Sequence, residues 1–243
     1  MSTFESSPYK KLDLHIHTPR SLCYSDMTVK PEQIVEAAIA SGLDAIGITD
    51  HNTVEGIEDV RRFAVKEGLV LFPGIELTTR SGHFLAIFDI DASITKLREL
   101  LDELGVARSH WGDGVEQVSG RAEDVFKMVV EWGGVVIAAH IERWPSGFLE
   151  TKESRSAKIE IHASPFLSAL EITVAQNCEQ WNNGWIRGYP KKYACIQGSD
   201  AHAPDEVGRR PFLVRMEKIG LEALKSAFIS WDNAITFPDQ LHV

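Results

Sequence analysis

The amino-acid sequence predicts an α/β protein in which short strands and helices alternate along a single domain, residues 1–243. Brief apolar runs of strand length recur along the chain, and between them lie segments whose apolar residues fall at helical spacing. Glycine stands just past the end of most of those helical segments, where the chain must turn back. With 243 residues, 44% of them hydrophobic, the chain can also bury a substantial core.

Residues 11–17 read as a first strand, and 31–41 as an amphipathic helix with Pro31 in its first turn and Gly42 at its end. Residues 44–49 form a buried strand, and 54–67 a helix that stops at Gly68. Two more strands cover 69–77 and 83–90. Helices follow at 94–104 and 122–132, closed by Gly105 and by Gly133-Gly134. Short apolar strands at 135–139, 170–175 and 194–197 precede a last helix at 221–231. Such alternation implies parallel βαβ units. The stretches 112–120 and 176–192 read as loops, the second rich in Asn, Trp and Gly and suited to a substrate wall. No repeat, low-complexity tract or linker divides the chain.

Composition narrows the function. No apolar run approaches the ~18 residues needed to span a bilayer, so no membrane partner is expected. Residues 1–8 lack the basic stretch and apolar core of a signal peptide. Three scattered cysteines, Cys23, Cys178 and Cys195, suggest a reducing compartment, and a cytoplasmic location is the expectation. A formal net charge of −10 with no basic stripe disfavours a stable complex with long nucleic acid. A small anionic substrate remains compatible if metal ions supply positive charge locally. Nothing in the sequence sets the oligomeric state.

The sharper signal is where polar residues interrupt the apolar pattern. Five segments place histidines or carboxylates at the C-terminal ends of expected strands: His15 and His17; Asp50 and His51; Glu76, with His83 just beyond; His140; and Asp200 with His202. His15 and His17, two apart on a strand, share a face. In α/β sheets and barrels that edge is where catalytic groups collect, and imidazole with carboxylate suits Zn, Mn or Fe. Taken singly each residue has an ordinary explanation: Asp50 or Asp200 as a helix cap, Glu76 as a solvated charge. His110, His162 and His242 are assigned such ordinary roles. Coincidence at five separate strand ends is a poor explanation, so a metal site is the expectation.

These residues also resemble a known family. Asp-Leu-His-Ile-His-Thr, Ile-Thr-Asp-His-Asn-Thr, Pro-Gly-Ile-Glu, the isolated His140 and Gly-Ser-Asp-Ala-His are similar, in order, to the motifs of the PHP (polymerase and histidinol phosphatase) family, from about residue 11 to residue 208. The resemblance implies a distorted seven-stranded β/α barrel, similar to a TIM barrel, with two or three divalent ions (Zn, Mn or Fe) at its C-terminal mouth. By motif, His15, His17, Glu76 and Asp200 hold one ion. Glu76 bridges to a second, held also by His83 and His140, and His51 and His202 hold a third. Asp26 stands at the family's Ser-Asp position after a lengthened gap, and Cys23 is the alternative ligand there. Asp50 falls within a motif as support or catalytic residue.

The implied activity is a phosphoesterase acting on a small phosphate monoester, such as a nucleotide, a sugar phosphate or histidinol phosphate, through a hydroxide shared between ions. Arg20 and Arg143 flank the motifs and are assigned to grip the substrate phosphate, with Arg209 and Arg210 as weaker candidates. His51 or His202 is a candidate proton donor only where neither ligates. Trp144, Trp181 and Trp185 are aromatic enough to stack on a nucleobase, though core packing or anchoring a loop is the commoner role. Three rivals stand beside this reading: a phosphodiesterase or nuclease acting on short oligonucleotides or nucleotide ends, a metal-dependent amidohydrolase, and an inactive metal-binding module.

Overall fold

A computed structural model describes residues 8–240. Most of the N-terminal stretch read for a leader, and His242, lie outside the described residues. The elements run β1 (Tyr9–Ile16), α1 (Pro31–Ala40), β2 (Ala45–Ile48), α2 (Ile57–Lys66), β3 (Val70–Thr79), β4 (Gly82–Ile87), α3 (Ile94–Glu103) and α4 (Ala122–Glu131). Next come β5 (Val135–Ala138), α5 (Arg155–Ala163), β6 (Leu167–Glu171), α6 (Cys178–Asn183), β7 (Ala194–Ile196), β8 (Phe212–Arg215), α7 (Leu221–Ile229), α8 (Trp231–Ala234) and β9 (Ile235–Thr236). No helix among the described residues is long and apolar enough to cross a membrane.

The sheet is a nearly closed, distorted barrel in the order β7-β6-β5-β4-β3-β2-β1-β8-β9. Strands β1 to β3 are parallel, as are β5 to β7. The parallel βαβ pattern is interrupted at β4, which runs antiparallel to both β3 and β5. The cause is length. Only Arg80 and Ser81 separate β3 from β4, and a parallel crossover needs about a dozen residues, whereas a hairpin needs two. This reversal matters for the site, because it brings the start of β4, with His83, to the edge where its neighbours end.

The seven strands β1 to β7 close on themselves through the segment after β7. Ile16 and Ala201 form a parallel bridge, with His17 N–H donating to Ala201 O at 3.0 Å. The first half of the same β1 edge is taken by β8, from Tyr9↔Arg215 to Leu12↔Phe212, and β9 lies beside β7. Strands β8 and β9, and helices α5 and α6, do not stand out in the sequence because each is short or weakly patterned. The strand expected at 170–175 lies instead at Leu167–Glu171.

Strand β1 is covered on both faces. Leu12, Leu14 and Ile16 alternate with Asp13, His15 and His17, and all six are fully buried. Helices supply the outer cover: α4 sets Phe126 edge-on against Phe84 of β4, ring centroids 4.5 Å apart. Neighbouring strands approach closely where Gly47 faces β1, since a Cβ there would sit 2.7 Å from Leu14 O.

His162 on α5 packs in the core, away from the barrel mouth. Its ring is fully buried among Trp181, Tyr189 and Tyr193, with centroids 5.0–5.7 Å away, and neither nitrogen has a hydrogen-bond partner. Burial, with the nearby Lys191 charge, pushes its pKa down to about 4. The core therefore holds the neutral ring. Below the ordinary His value of about 6.5 the unfolded chain takes up a proton that the folded chain refuses, so stability falls as pH drops towards 4. Melting temperature measured from pH 7 to pH 4 should fall less steeply in His162→Leu than in the parent; parallel profiles would remove His162 from the acid response.

Candidate metal centre

The barrel mouth gathers the strand-end residues. His15 and His17 end β1, Asp50 and His51 come after β2, Glu76 lies on β3, His83 opens β4, His140 comes after β5, and Asp200 and His202 come after β7. The backbone is bent to present them. Asn52, His140 and Asp200 have φ of +48°, +27° and +50°, the left-handed region that costs non-glycine residues energy. All three sit where the chain turns off a strand into the cluster. That strain is held by tertiary contacts: Glu171 Oε1 accepts from His140 N–H at 3.1 Å, and Asn52 Oδ1 from Thr78 N–H at 3.1 Å.

Glu76 is the centre. Its Oε1 lies 2.9 Å from His83 Nδ1 and 3.0 Å from His140 Nε2. Its Oε2 lies 3.3 Å from His15 Nε2, 3.2 Å from His17 Nε2 and 3.0 Å from His51 Nδ1. Despite three nitrogens at that range, Oε2 and His51 Nδ1 are buried without a well-formed hydrogen bond. Five imidazole nitrogens thus crowd one carboxylate, three of them in directions that hydrogen bonds do not explain. Shared coordination of a cation looks like this from the protein side. Asp200 Oδ1 completes a four-residue set, 3.3 Å from His15 Nε2 and 3.1 Å from His17 Nε2.

Three groups have ligand atoms close enough to hold an ion: His15, His17, Glu76 and Asp200; His51, Glu76 and His83; and His17, His51 and His202. The residues present therefore fit divalent metal. The groups overlap at His17, His51 and Glu76. A carboxylate can bridge with its two oxygens, but one imidazole nitrogen serves one ion, so His17 belongs to one group at a time.

A second layer fixes which nitrogen is free. Glu171 Oε2 takes the Nδ1 side of His15 at 2.9 Å, leaving Nε2 for the cluster. Ser21 does the same for His17: its hydroxyl donates to Asp50 Oδ1 at 2.7 Å, so it must accept from His17 Nδ1–H at 2.9 Å. Asp50 also accepts from Thr18 N–H and Thr18 Oγ1–H, both at 2.7 Å. It is buried and supports His17 through Ser21. His202 Nδ1 is committed to Asp200 O at 3.0 Å, which leaves Nε2 as its ligand nitrogen. Asp13, below the mouth, accepts from Ser199 N–H and Gly208 N–H at 3.0 and 2.9 Å and so anchors the segment bearing Asp200.

Sequence reasoning missed Glu171 and Ser21. Glu171 carried a signal, an acid closing the apolar run Leu-Ser-Ala-Leu-Glu, but the strand was expected to begin only at residue 170. Ser21 carried none, because serine in a loop is ordinary.

The electrostatics fit a cation at the centre. Burial opposes charge on His15, but Glu171 and Glu76 outweigh it and drive the pKa up to about 10. Burial likewise disfavours ionised Glu76, yet His51, His15, His83 and His140 hold its carboxyl well below the usual range. Burial keeps His51 and His140 below the ordinary value and takes His202 down to about 3. Positive charge is thus favoured between the carboxylates and disfavoured at the rim.

Other expected residues fall outside the cluster or at its edge. Asp26 is exposed and accepts from Thr28 N–H and Oγ1–H at 2.9 and 2.7 Å, closing its own turn. Cys23 Sγ, by contrast, is 3.1 Å from His202 Nε2. Arg20 pairs with Asp59 at 3.4 Å on the surface. Arg143 contacts Asp200 Oδ2 directly. Arg209 and Arg210 both donate to Ser199 O at 3.0 Å, and the buried Nε of Arg210 has no partner. Trp181 is buried in the core, whereas Trp144 and Trp185 are exposed. The 112–120 stretch, a loop as expected, packs over His51, where a Cβ on Gly114 would lie 2.8 Å from the ring.

The model of the PHP domain matches residues 13–181. The chain belongs to the PHP domain family. Among curated proteins it is 29% identical over 144 residues to a 5'-3' exoribonuclease of Haemophilus influenzae, covering 56% of this chain and 50% of that protein. The fold resembles the lesion-specific endonuclease PfuEndoQ of Pyrococcus furiosus, with TM-score 0.69 and 18% identity over 93% of this chain and 57% of the other. It also resembles a two-domain protein of Bacteroides vulgatus containing a predicted PHP-like metal-dependent phosphoesterase, with TM-score 0.65 and 21% identity over 94% of this chain and 65% of that one. The chain spans about half the length of the exoribonuclease it matches.

If Glu171 sets the His15 tautomer, Glu171→Gln should weaken metal binding by about 10- to 100-fold without unfolding the chain. Competition with a chromogenic chelator reads this directly, and unchanged affinity would detach Glu171 from the site.

Proposed function

We propose that this chain hydrolyses small phosphate esters using two or three divalent ions held by His15, His17, His51, Glu76, His83, His140, Asp200 and His202. The observation that carries the reading is Glu76 Oε2, buried amid three imidazole nitrogens at 3.0–3.3 Å yet without a hydrogen bond. Bound there, divalent ions acidify water and neutralise charge on phosphoryl oxygens. The protein's own task is positioning. Glu171 and Ser21 orient His15 and His17, and Asp13 holds the segment that presents Asp200.

Arg143 is the substrate-binding residue of this proposal, in preference to Arg20. With Asp200 serving as a metal ligand, the Arg143 guanidinium that now contacts it would be free to present its fork to a phosphoryl oxygen pair. Arg210, with its unpartnered Nε, lies beside the same segment and adds positive field. In this proposal His202 and His51, whose pKa values burial lowers, serve as ligands rather than as proton donors.

The relatives favour a second reading, hydrolysis of a phosphodiester at a nucleotide or oligonucleotide end, since an exoribonuclease and an endonuclease are among them. The net charge of −10 supports a short substrate over a long duplex held along its backbone.

Elemental analysis of protein purified without chelator or affinity metal should find two to three ions per chain. Turnover of p-nitrophenyl phosphate, of bis(p-nitrophenyl) phosphate and of a 5'-phosphorylated oligonucleotide then separates monoester from diester preference. Folded protein without metal, or turnover indifferent to chelation, would overturn the assignment. Glu76→Gln and Asp200→Asn should each lower kcat/KM by about 100-fold or more, since a lost ligand removes several kcal/mol of charge stabilisation.

Arg143→Lys keeps the charge but loses the fork. It should cut kcat/KM by about tenfold with metal content unchanged. Full activity in that variant would place the phosphate elsewhere.

A further inference from the structure

Away from the barrel mouth, Cys178 and Cys195 form a pair that phosphate ester hydrolysis neither uses nor requires. Cys178 begins α6 and is half-buried, lining a cavity of about 700 Å³ with Glu179, Asn182, Lys192 and Trp231. Cys195 lies in the middle of β7 and is fully buried behind it. Helix α6 packs directly on β7. The Cys195 thiol donates to the Cys178 carbonyl at 3.8 Å, and both residues line the same cavity. Asn182 Nδ2–H donates to Cys178 Sγ at 3.2 Å. Cys178 is the more exposed of the two and has an amide donor at its sulfur, conditions that favour a thiolate; Cys195 is buried and its thiol is itself a donor.

We propose that Cys178 and Cys195 are a reversible dithiol–disulfide pair, with Cys178 the sulfur that meets a peroxide and Cys195 the one that resolves it. The Cys178 thiolate attacks the peroxide, forming an S–O bond and breaking O–O, and the departing hydroxide removes the Cys195 proton as water. Cys195 sulfur then attacks Cys178 sulfur; the S–S bond forms, S–O breaks, and hydroxide leaves, taking up the proton first lost by Cys178. In sum two thiols are oxidised and one hydrogen peroxide is reduced to two waters.

The link has a defined consequence. It ties α6, and the chain from 178 to 195, to β7. Cys195 pairs with Leu170, so the tether attaches one register step from Glu171 and ahead of Asp200 on the same run of chain. Closing that loop restricts the unfolded chain, so the oxidised form should resist unfolding and cleavage within 178–192 better than the reduced form.

The test uses the full chain carrying Cys23→Ser, so that only this pair can react. Hydrogen peroxide, then thiol blocking and non-reducing digestion, should yield one cross-linked peptide joining 178 to 195, two hydrogens lighter, with both thiols lost together and regained on reduction with dithiothreitol. In Cys178→Ser, Cys195 should stay a free thiol under the same treatment. Oxidation of Cys178 to sulfinic acid while Cys195 stays free, a cross-link only in denatured protein, or two thiols that survive peroxide would each overturn the proposal.

Discussion

A fully buried carboxylate with no arginine or lysine beside it organises this protein. Removing an ionised carboxylate from water costs several kcal/mol, and the usual remedy is a cationic side chain. Among the described residues Glu76 has none; five imidazoles surround it instead. Imidazoles that ligate an ion carry no charge of their own to balance Glu76, so a barrel mouth built from them suits positive charge from elsewhere. The strands supply the imidazoles from separate directions, and the backbone is strained at Asn52, His140 and Asp200, where the chain turns into the cluster. Glu171, Ser21 and Asp50 hold the rings from behind.

Much of this was legible in the sequence, because a histidine or carboxylate at the end of an apolar strand is chemically costly and therefore conspicuous. His15, His17, His51, Glu76, His140, Asp200 and His202 all announce themselves that way, with His83 just beyond a turn, and all lie in the cluster or against it. The alternating pattern likewise gave away the α/β class. What periodicity does not encode is direction. The reversal of β4 depends on a two-residue connection, and a strand reads alike in either sense. Asp26 misled for a related reason: a Ser-Asp pair at a suggestive place in a loop has no strand to fix its aim, and its carboxylate turned back on Thr28.

The supporting layer was the least visible part. Ser21 matters only because its one proton goes to Asp50, which forces it to accept from His17. That is a property of three residues from two segments, and no single position carries it. Asp13 is similar, since its role lies in the backbone amides of Ser199 and Gly208 that it receives. Such groups are recognised by who is left without a partner when they are removed, a question only coordinates answer.

The way the barrel closes has a consequence of its own. A single short seam, Ile16 against Ala201, joins the first strand to the segment after the seventh. His15 and His17 stand on one side of that seam, Asp200 and His202 on the other. An ion gripped by both sides would therefore act as a clasp across that seam, binding two parts of the chain far apart in sequence. Loading the site and locking the cylinder become one equilibrium, so the grip on the ion and the rigidity of the wall rise and fall together.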